Sequence, residues 1–421
     1  MWSKISPLFF SNRTHKQILL KNTFWLGQNE FFSKIILFFV TILIVRSFGP
    51  TNFGKYNLAF SYTAILMVLS DFGLNTIIIR EVAKHPELVH KYLANILSIK
   101  LIISLFLVII AFMIRPFLNG DLFIQKLFLL CVAYSLIQNI GSLLIAVFSG
   151  LEKMEYIFVS KLIYYLGLLF SAILITTSHS TPDKLLFAYI IMTTFSVLVT
   201  TILVKINKIK IELEFDFIFW KKILISTLPL LGLALTGVIY FNCDTILIGR
   251  FFGPEKVGLY QSAYKILFAF QSINIVNYAL FPRISALINQ KNYSALSRIT
   301  KFVVSISLVG LIPLGLIITI FARPIMTLIY GPAYTSASLA MVLLMWSGVI
   351  YYFRSFFCNL LIASNRQKHV FYALLFGTTA NILFNLFIMP KYNFVYASLA
   401  LVISELIILS SAIILYVRIK K

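Results

Sequence analysis

Apolar residues run through this chain in long stretches separated by short polar connections. The pattern has neither the strict alternation of a half-buried strand nor the narrow stripe of a soluble helix. A membrane-spanning helix needs about 20 mainly apolar residues. Twelve stretches qualify, over 23–45, 56–78, 93–114, 122–149, 156–178, 185–204, 223–249, 258–280, 302–322, 335–363, 370–389 and 394–417. The most polar connection, 205–222, falls at the midpoint and alternates charged with apolar residues, as an interfacial segment does. The pattern predicts an all-α integral membrane protein with twelve transmembrane helices. They divide into an N-terminal six-helix bundle over 1–204, a cytoplasmic linker over 205–222 and a C-terminal six-helix bundle over 223–421.

The two bundles are related by an internal repeat. Residues 41–56 read T-I-L-I-V-R-S-F-G-P-T-N-F-G-K-Y, and residues 245–260 read T-I-L-I-G-R-F-F-G-P-E-K-V-G-L-Y. At an offset of 204, ten of the sixteen positions agree, including Arg46 with Arg250, Gly49-Pro50 with Gly253-Pro254, Gly54 with Gly258 and Tyr56 with Tyr260. Apolar drift alone does not reproduce Gly, Pro and Arg in register. A weaker echo pairs Arg115-Pro116 with Arg323-Pro324 at an offset of 208. Parallel halves are a recurrent transporter construction. Gly-Pro is expected to stop a helix and turn the chain, and Gly54 and Gly258 to let helices approach closely.

Composition agrees: 60% of residues are hydrophobic and only 12% charged, whereas a soluble domain is about a quarter charged. The net charge of +22 is scattered over many short connections, which argues against a nucleic-acid surface. Of the 36 Lys and Arg, 23 fall on or beside the N-terminus and every second connection and nine on or beside the others, counting Lys161 and Lys126, just inside their spans, with the adjoining connections; this predicts cytoplasmic termini. Cys131, Cys243 and Cys358 lie in apolar runs without disulfide or metal spacing, and the five histidines, His179 among them, form no ligand motif. No metal and no cofactor are expected. No connection exceeds about 20 residues, which disfavours an enzyme with its active site in a large external loop.

Candidate chemistry therefore rests on charges inside spans, each of which costs about 2.5–3.5 kcal/mol to insert and so commonly faces a partner or a cavity. Glu30 and Lys34 share a helix face; they either neutralise one another or form a pair that protonation of Glu30 opens. Asp71, Asp244 and Glu405 are candidates for ion coupling or for salt bridges. Lys265 lies more than one turn inside its span and is expected either to bind an anion or to pair, with Asp244 as one choice. Arg354, in Y-Y-F-R-S-F-F, carries a fork suited to phosphate. Arg46 and Arg250 close the T-I-L-I runs as cationic or anchoring residues, and Lys100 is expected to snorkel to an interface.

The motifs R-x-F-G-P-x-x-F-G-x-Y at 46–56, D-F-G-L at 71–74, and D-x-I-L-I-G with V-G-L-Y-x-x-A-Y-K at 244–265 resemble the Wzx-type polysaccharide flippases. That family exports O-antigen and capsule repeat units and belongs to the multidrug/oligosaccharidyl-lipid/polysaccharide exporter superfamily, beside lipid II flippases and multidrug extruders. The resemblance spans the chain. It implies a V-shaped pair of bundles around a cationic cavity, with Lys34, Lys265, Arg354, Arg46 and Arg250 as its cations. The implied cargo is an undecaprenyl-pyrophosphate-linked oligosaccharide, moved across the inner membrane by alternating access with proton or sodium coupling through Glu30, Asp71, Asp244 or Glu405. Partners would be membrane lipid, a polysaccharide polymerase and a chain-length regulator. The acidic residues are dispersed and leave the coupling ion open, and a lipid II flippase or a multidrug extruder remains the alternative.

Overall fold

The computed structural model describes residues 15–118, 120–178, 181–271 and 274–420, and their regular elements are helices, with no strand among them. His179 and the first 14 residues lie outside this range. In chain order the helices are α1 (His15–Asp71), α2 (Leu74–Lys84), α3 (Val89–Ile114), α4 (Leu122–Gly150), α5 (Met154–Thr177), α6 (Pro182–Ile206) and α7 (Phe217–Gln271). They continue with α8 (Ile275–Asn289), α9 (Tyr293–Ile306), α10 (Ile312–Ile320), α11 (Ala322–Tyr330), α12 (Ser338–Ala363), α13 (Gln367–Phe387) and α14 (Val395–Lys420). Among the described residues, ten helical segments are long and apolar enough to cross a membrane, and the longest two are α1 with α2 and the whole of α7.

Local chemistry sets several of the ends. Asp121 caps α4 by accepting from the amide of Phe123 at 2.8 Å, Asn292 caps α9 through the amide of Ala295 at 3.0 Å, and Pro182 occupies the first turn of α6, where its missing N–H costs nothing.

The long helices bend where the repeated motif places glycine. In α1 the one non-helical residue is Gly49, with φ 68° and ψ 173°; in α7 it is Gly253, with φ 81° and ψ 176°. A left-handed φ costs a residue with a Cβ about 1–2 kcal/mol, and the proline that follows each glycine has no amide to lose as the helix resumes. The sequence repeat is thus a repeat of backbone conformation. D-F-G-L forms a further break: Phe72 (φ 51°) and Gly73 (φ 77°) are both left-handed and separate α1 from α2.

Two spans differ from the hydropathy pattern. The eighth does not run unbroken over 258–280; α7 ends at Gln271 and α8 begins at Ile275 and continues to Asn289. The ninth begins earlier than 302, because α9 starts at Tyr293 and joins α10 through a π-helical turn over Ser307–Leu311. Asn274 is the residue just before α8, Pro282 lies inside α8, and Pro313 occupies the first turn of α10; none of them lowers the apolar character of its surroundings.

The chain forms two compact units, one from residues up to Phe48 together with Ala59–Val238, the other from Gly49–Leu58 together with Ile239 onward. The core of unit 1 joins Ile77, Ile78 and Val82 of α2 to Leu93 and Ile96 of α3 and to Val147 and Phe148 of α4. In unit 2, Leu361 of α12, Ala373 of α13 and Ile408 of α14 meet in one cluster. Small residues allow this closeness: a Cβ on Gly377 would stand 2.3 Å from Ile408 Cγ1. The two copies of the motif also meet inside unit 2, reciprocally. A Cβ on Gly54 would stand 1.7 Å from the carbonyl oxygen of Pro254, and a Cβ on Gly258 would stand 1.9 Å from that of Pro50. Only glycine fits at either place.

The connection after α6 is pinned to α3 in unit 1. The amides of Lys210, Glu214 and Asp216 donate to His90, Ser98 and Asn95 respectively, at 3.1, 3.1 and 3.2 Å. The Asn95 side chain also accepts from Trp220 Nε1 at 2.8 Å and donates to Glu214 at 2.8 Å. The alternation of charged and apolar residues in this segment therefore belongs to an extended strap whose backbone is satisfied by one helix.

Candidate functional site

In unit 1 the buried charges include Lys21, paired with Glu155 at 2.9 Å, and Lys100, for which the structure corrects the expectation that it reaches an interface. Its side chain is fully buried. The ammonium donates to Asp71 Oδ1 at 2.8 Å, Asn75 Oδ1 at 2.9 Å, Asn139 Oδ1 at 2.7 Å and the Asn139 carbonyl at 3.4 Å. An ammonium has three protons, and these acceptors use all of them, so Lys100 has no reason to reach for water. The amides are held in turn, Asn139 by donating to the Ser70 carbonyl at 3.2 Å and Asn75 by donating to Ser142 at 3.0 Å. Asp71 sits on the last helical residue before the Phe72-Gly73 break, so the pair ties that break to α3 and α4. Asp71 therefore has a lysine partner in place.

The acids of unit 2 are arranged differently. Asp244 is buried, and its contacts among the described residues are with neutral groups: Tyr260 donates to Oδ2 at 2.7 Å, Asn385 to Oδ1 at 2.7 Å, and the Cys243 thiol approaches Oδ1 at 3.5 Å. Asn381 extends the cluster, accepting from Asn385 at 3.2 Å and from Cys243 at 3.0 Å. No ion pair to Asp244 exists among the described residues. Glu405, by contrast, accepts from Tyr240 at 2.7 Å and stands 2.5 Å from Arg354 Nε, with both side chains at most 10% exposed. The Arg354 contact is a charge contact off the N–H axis rather than an aligned hydrogen bond. Arg354 also lies over the Tyr351 ring at 4.6 Å. Its charge is committed to Glu405 and to that ring.

Lys265 has no such commitment. It lies in the second arm of α7, half-buried, with no ion-pair or hydrogen-bond partner among the described residues. Asp244 does not pair with it; that carboxylate is taken by Tyr260 and Asn385. Glu30 and Lys34 do form the expected i,i+4 pair, at 3.6 Å, but both are about half exposed. They lie with Thr23, Gly27 and Thr41 along one side of α1, apart from the exposed Phe24, Phe31, Ile35 and Phe39. Arg46 and Arg250 are exposed just before the two glycine bends.

Three important residues were not foreseen. Tyr260 and Asn385, which hold Asp244, are an ordinary motif tyrosine and one amide among many, and the sequence carried no signal of their role. Lys161 did leave a signal: the charge count takes it with the connection between the fourth and fifth spans, although it lies inside 156–178. In the structure it is seven residues into α5 and lines a cavity.

Comparison with known proteins bears on what such an arrangement serves. The family model described as polysaccharide biosynthesis protein matches residues 19–288, and a second model, MatE, matches 229–387. The chain is 23% identical over 407 residues to the capsular polysaccharide biosynthesis protein CapF of Staphylococcus aureus, covering 95% of this chain and all of that protein. It is 22% identical over 349 residues to a putative O-antigen transporter of Escherichia coli K12, covering 79% and 80%. The fold is that of the lipid II flippase MurJ in an inward closed conformation, with a TM-score of 0.77, 17% identity, and coverage of 93% of this chain and 87% of that one. By name these relatives and neighbours are polysaccharide biosynthesis proteins, a transporter and a flippase rather than enzymes.

Proposed function

We propose that this chain, which belongs to the polysaccharide biosynthesis protein family, is a flippase that carries an undecaprenyl-pyrophosphate-linked oligosaccharide repeat unit from the cytoplasmic to the periplasmic leaflet. In this reading each bent helix makes two passes, so that the ten membrane-length segments become twelve spans in two six-helix bundles. The protein resides in the inner membrane with both termini cytoplasmic, and delivers its cargo to a polysaccharide polymerase working with a chain-length regulator.

The observation that carries the reading is the state of the charges in unit 2: a cation, Lys265, without a counter-ion, and a buried carboxylate, Asp244, without a cation. Placing either in a membrane protein costs free energy that an internal partner ordinarily offsets. A cargo that brings its own charge offsets it instead. Lys265 is the group for a pyrophosphate oxygen, and Lys34, Arg46 and Arg250 supply further positive charge along the route. Asp244 is the ion-coupling group: held by a hydroxyl and an amide, it can take up and release a proton or sodium ion without breaking a salt bridge. Alternating access then lets pyrophosphate and ion bias opposite conformations, as differential affinity requires.

The test is a leaflet assay in cells lacking the protein. Lipid-linked repeat units should accumulate on the cytoplasmic face and regain periplasmic access with the wild-type gene but not with Lys265→Gln. Normal crossing without the protein would remove this reading and favour a lipid II or multidrug cargo.

A further inference from the structure

Within unit 1, α4, α5 and α6 border a half-open cavity of about 240 Å³, which corresponds to about eight liquid waters at ~30 Å³ each. A membrane bundle has no need of such a space, and polar side chains are set into its otherwise apolar wall. Gln138 and Ser142 come from α4, Ser160 and Lys161 from α5, and Thr193 and Ser196 from α6, with the rings of Tyr164 and Tyr165 beside them. No Asp or Glu lines it.

Two features mark it as more than a packing flaw. Serine and threonine inside a helix commonly satisfy their hydroxyls on the preceding turn, as Thr194 and Thr200 of α6 do at 2.8 Å each. Ser160 and Thr193, both almost fully buried, do not: neither hydroxyl oxygen has a hydrogen-bond partner. The second feature is Lys161, a half-buried ammonium with no ion pair or hydrogen bond among the described residues. Two orphan hydroxyls set within its walls and an unneutralised cation thus meet at one empty volume. Water brings no charge to the ammonium.

We infer that this cavity is a binding subsite for a single acidic sugar ring. The volume is on the scale of one ring. The ring hydroxyls pair with Gln138 and, once their side chains turn toward the cavity, with Ser160 and Thr193; the tyrosine rings offer an apolar face to the C–H side of the sugar, and the acid group neutralises Lys161. Ser142 also ties the cavity wall to the Lys100 cluster, since it accepts from the Asn75 amide whose oxygen holds that lysine. The inference rests on the flippase reading for the source of the sugar and adds to it a preference for glycans containing a uronic acid.

The test is direct binding of D-glucuronate to the purified full-length protein, with D-glucose and inorganic phosphate as comparison probes. Saturable glucuronate binding is expected, about tenfold weaker in Lys161→Gln, as loss of one charge-assisted contact implies, and weakened also in Ser160→Ala. Glucose should bind at least that much more weakly than glucuronate. The melting temperature of Lys161→Gln should match that of the wild type, which separates lost binding from lost folding. Equal affinity of wild type and Lys161→Gln for glucuronate, or no binding at all, overturns the subsite; phosphate binding with the same loss in Lys161→Gln overturns it in favour of a bare anion site. Leaflet transfer of lipid-linked units is read separately, so that its persistence without glucuronate binding sinks this inference alone, and its absence sinks the flippase reading.

Discussion

The most deeply buried charges of unit 1 are closed, whereas unit 2 keeps a closed pair and an open carboxylate side by side. Unit 1 encloses Lys100 with one carboxylate and two amides, so that nothing further can be gained by binding there. Unit 2 pairs Arg354 with Glu405 but leaves Asp244 among neutral donors and Lys265 with no partner. A closed pair joins helices, whereas an open charge awaits a ligand. The physical difference is that breaking a pair strands a charge, while removing an unpaired charge strands nothing. Charge content alone therefore does not identify a transport site; the state of pairing does.

That contrast can be broken by substitution. The largest effect is expected from Arg354→Met, which leaves Glu405 buried with only Tyr240 and should destabilise unit 2 by about 3–5 kcal/mol, read as the unfolding midpoint in detergent. Adding Glu405→Leu should recover most of the loss. If the single variant unfolds like wild type, the pair is not structural and Arg354 returns to the candidate anion ligands. Lys100→Met should cost about 2 kcal/mol, less than a fully enclosed pair, because the Asp71 side chain remains 34% exposed and can be solvated.

Smaller effects test the other side of the comparison. Gly258→Ala drives a methyl into the Pro50 carbonyl and should cost about 1–3 kcal/mol, whereas alanine at Gly27, which has nothing within 4 Å, should cost nothing measurable. Similar losses at both would dissolve the reciprocal Gly54–Gly258 contact. Lys265→Gln should leave stability within about 0.5 kcal/mol while abolishing export, and Asp244→Asn should leave stability similarly unchanged while the residual export loses its dependence on the ion gradient. Unfolding of either variant would place these residues with the closed pairs.

Much of the fold could be read from the sequence because its signals are local. Apolar runs of membrane length marked α3 through α6 and α12 through α14 to within a few residues, since hydrocarbon thickness sets helix length regardless of neighbours. Gly49 and Gly253 were legible as breaks because only glycine takes those φ values readily. The division of the eighth span between α7 and α8 was not legible, because the residues on both sides of it keep the apolar character of a single span.

What the sequence by itself determined is the membrane nature of the chain, its repeated glycine bends and the identity of its few intramembrane charges. Only the tertiary structure decided which of those charges are open. Lys100 meets Asp71 across 29 residues and Asp244 meets Asn385 across 141, and no spacing rule links such positions. Hydropathy sums over neighbours in the chain, whereas neutralisation of a buried charge depends on neighbours in space. That is why Lys100, which looked free to snorkel, is closed, and why Lys265 and Lys161 are, among the described residues, half-buried cations left open.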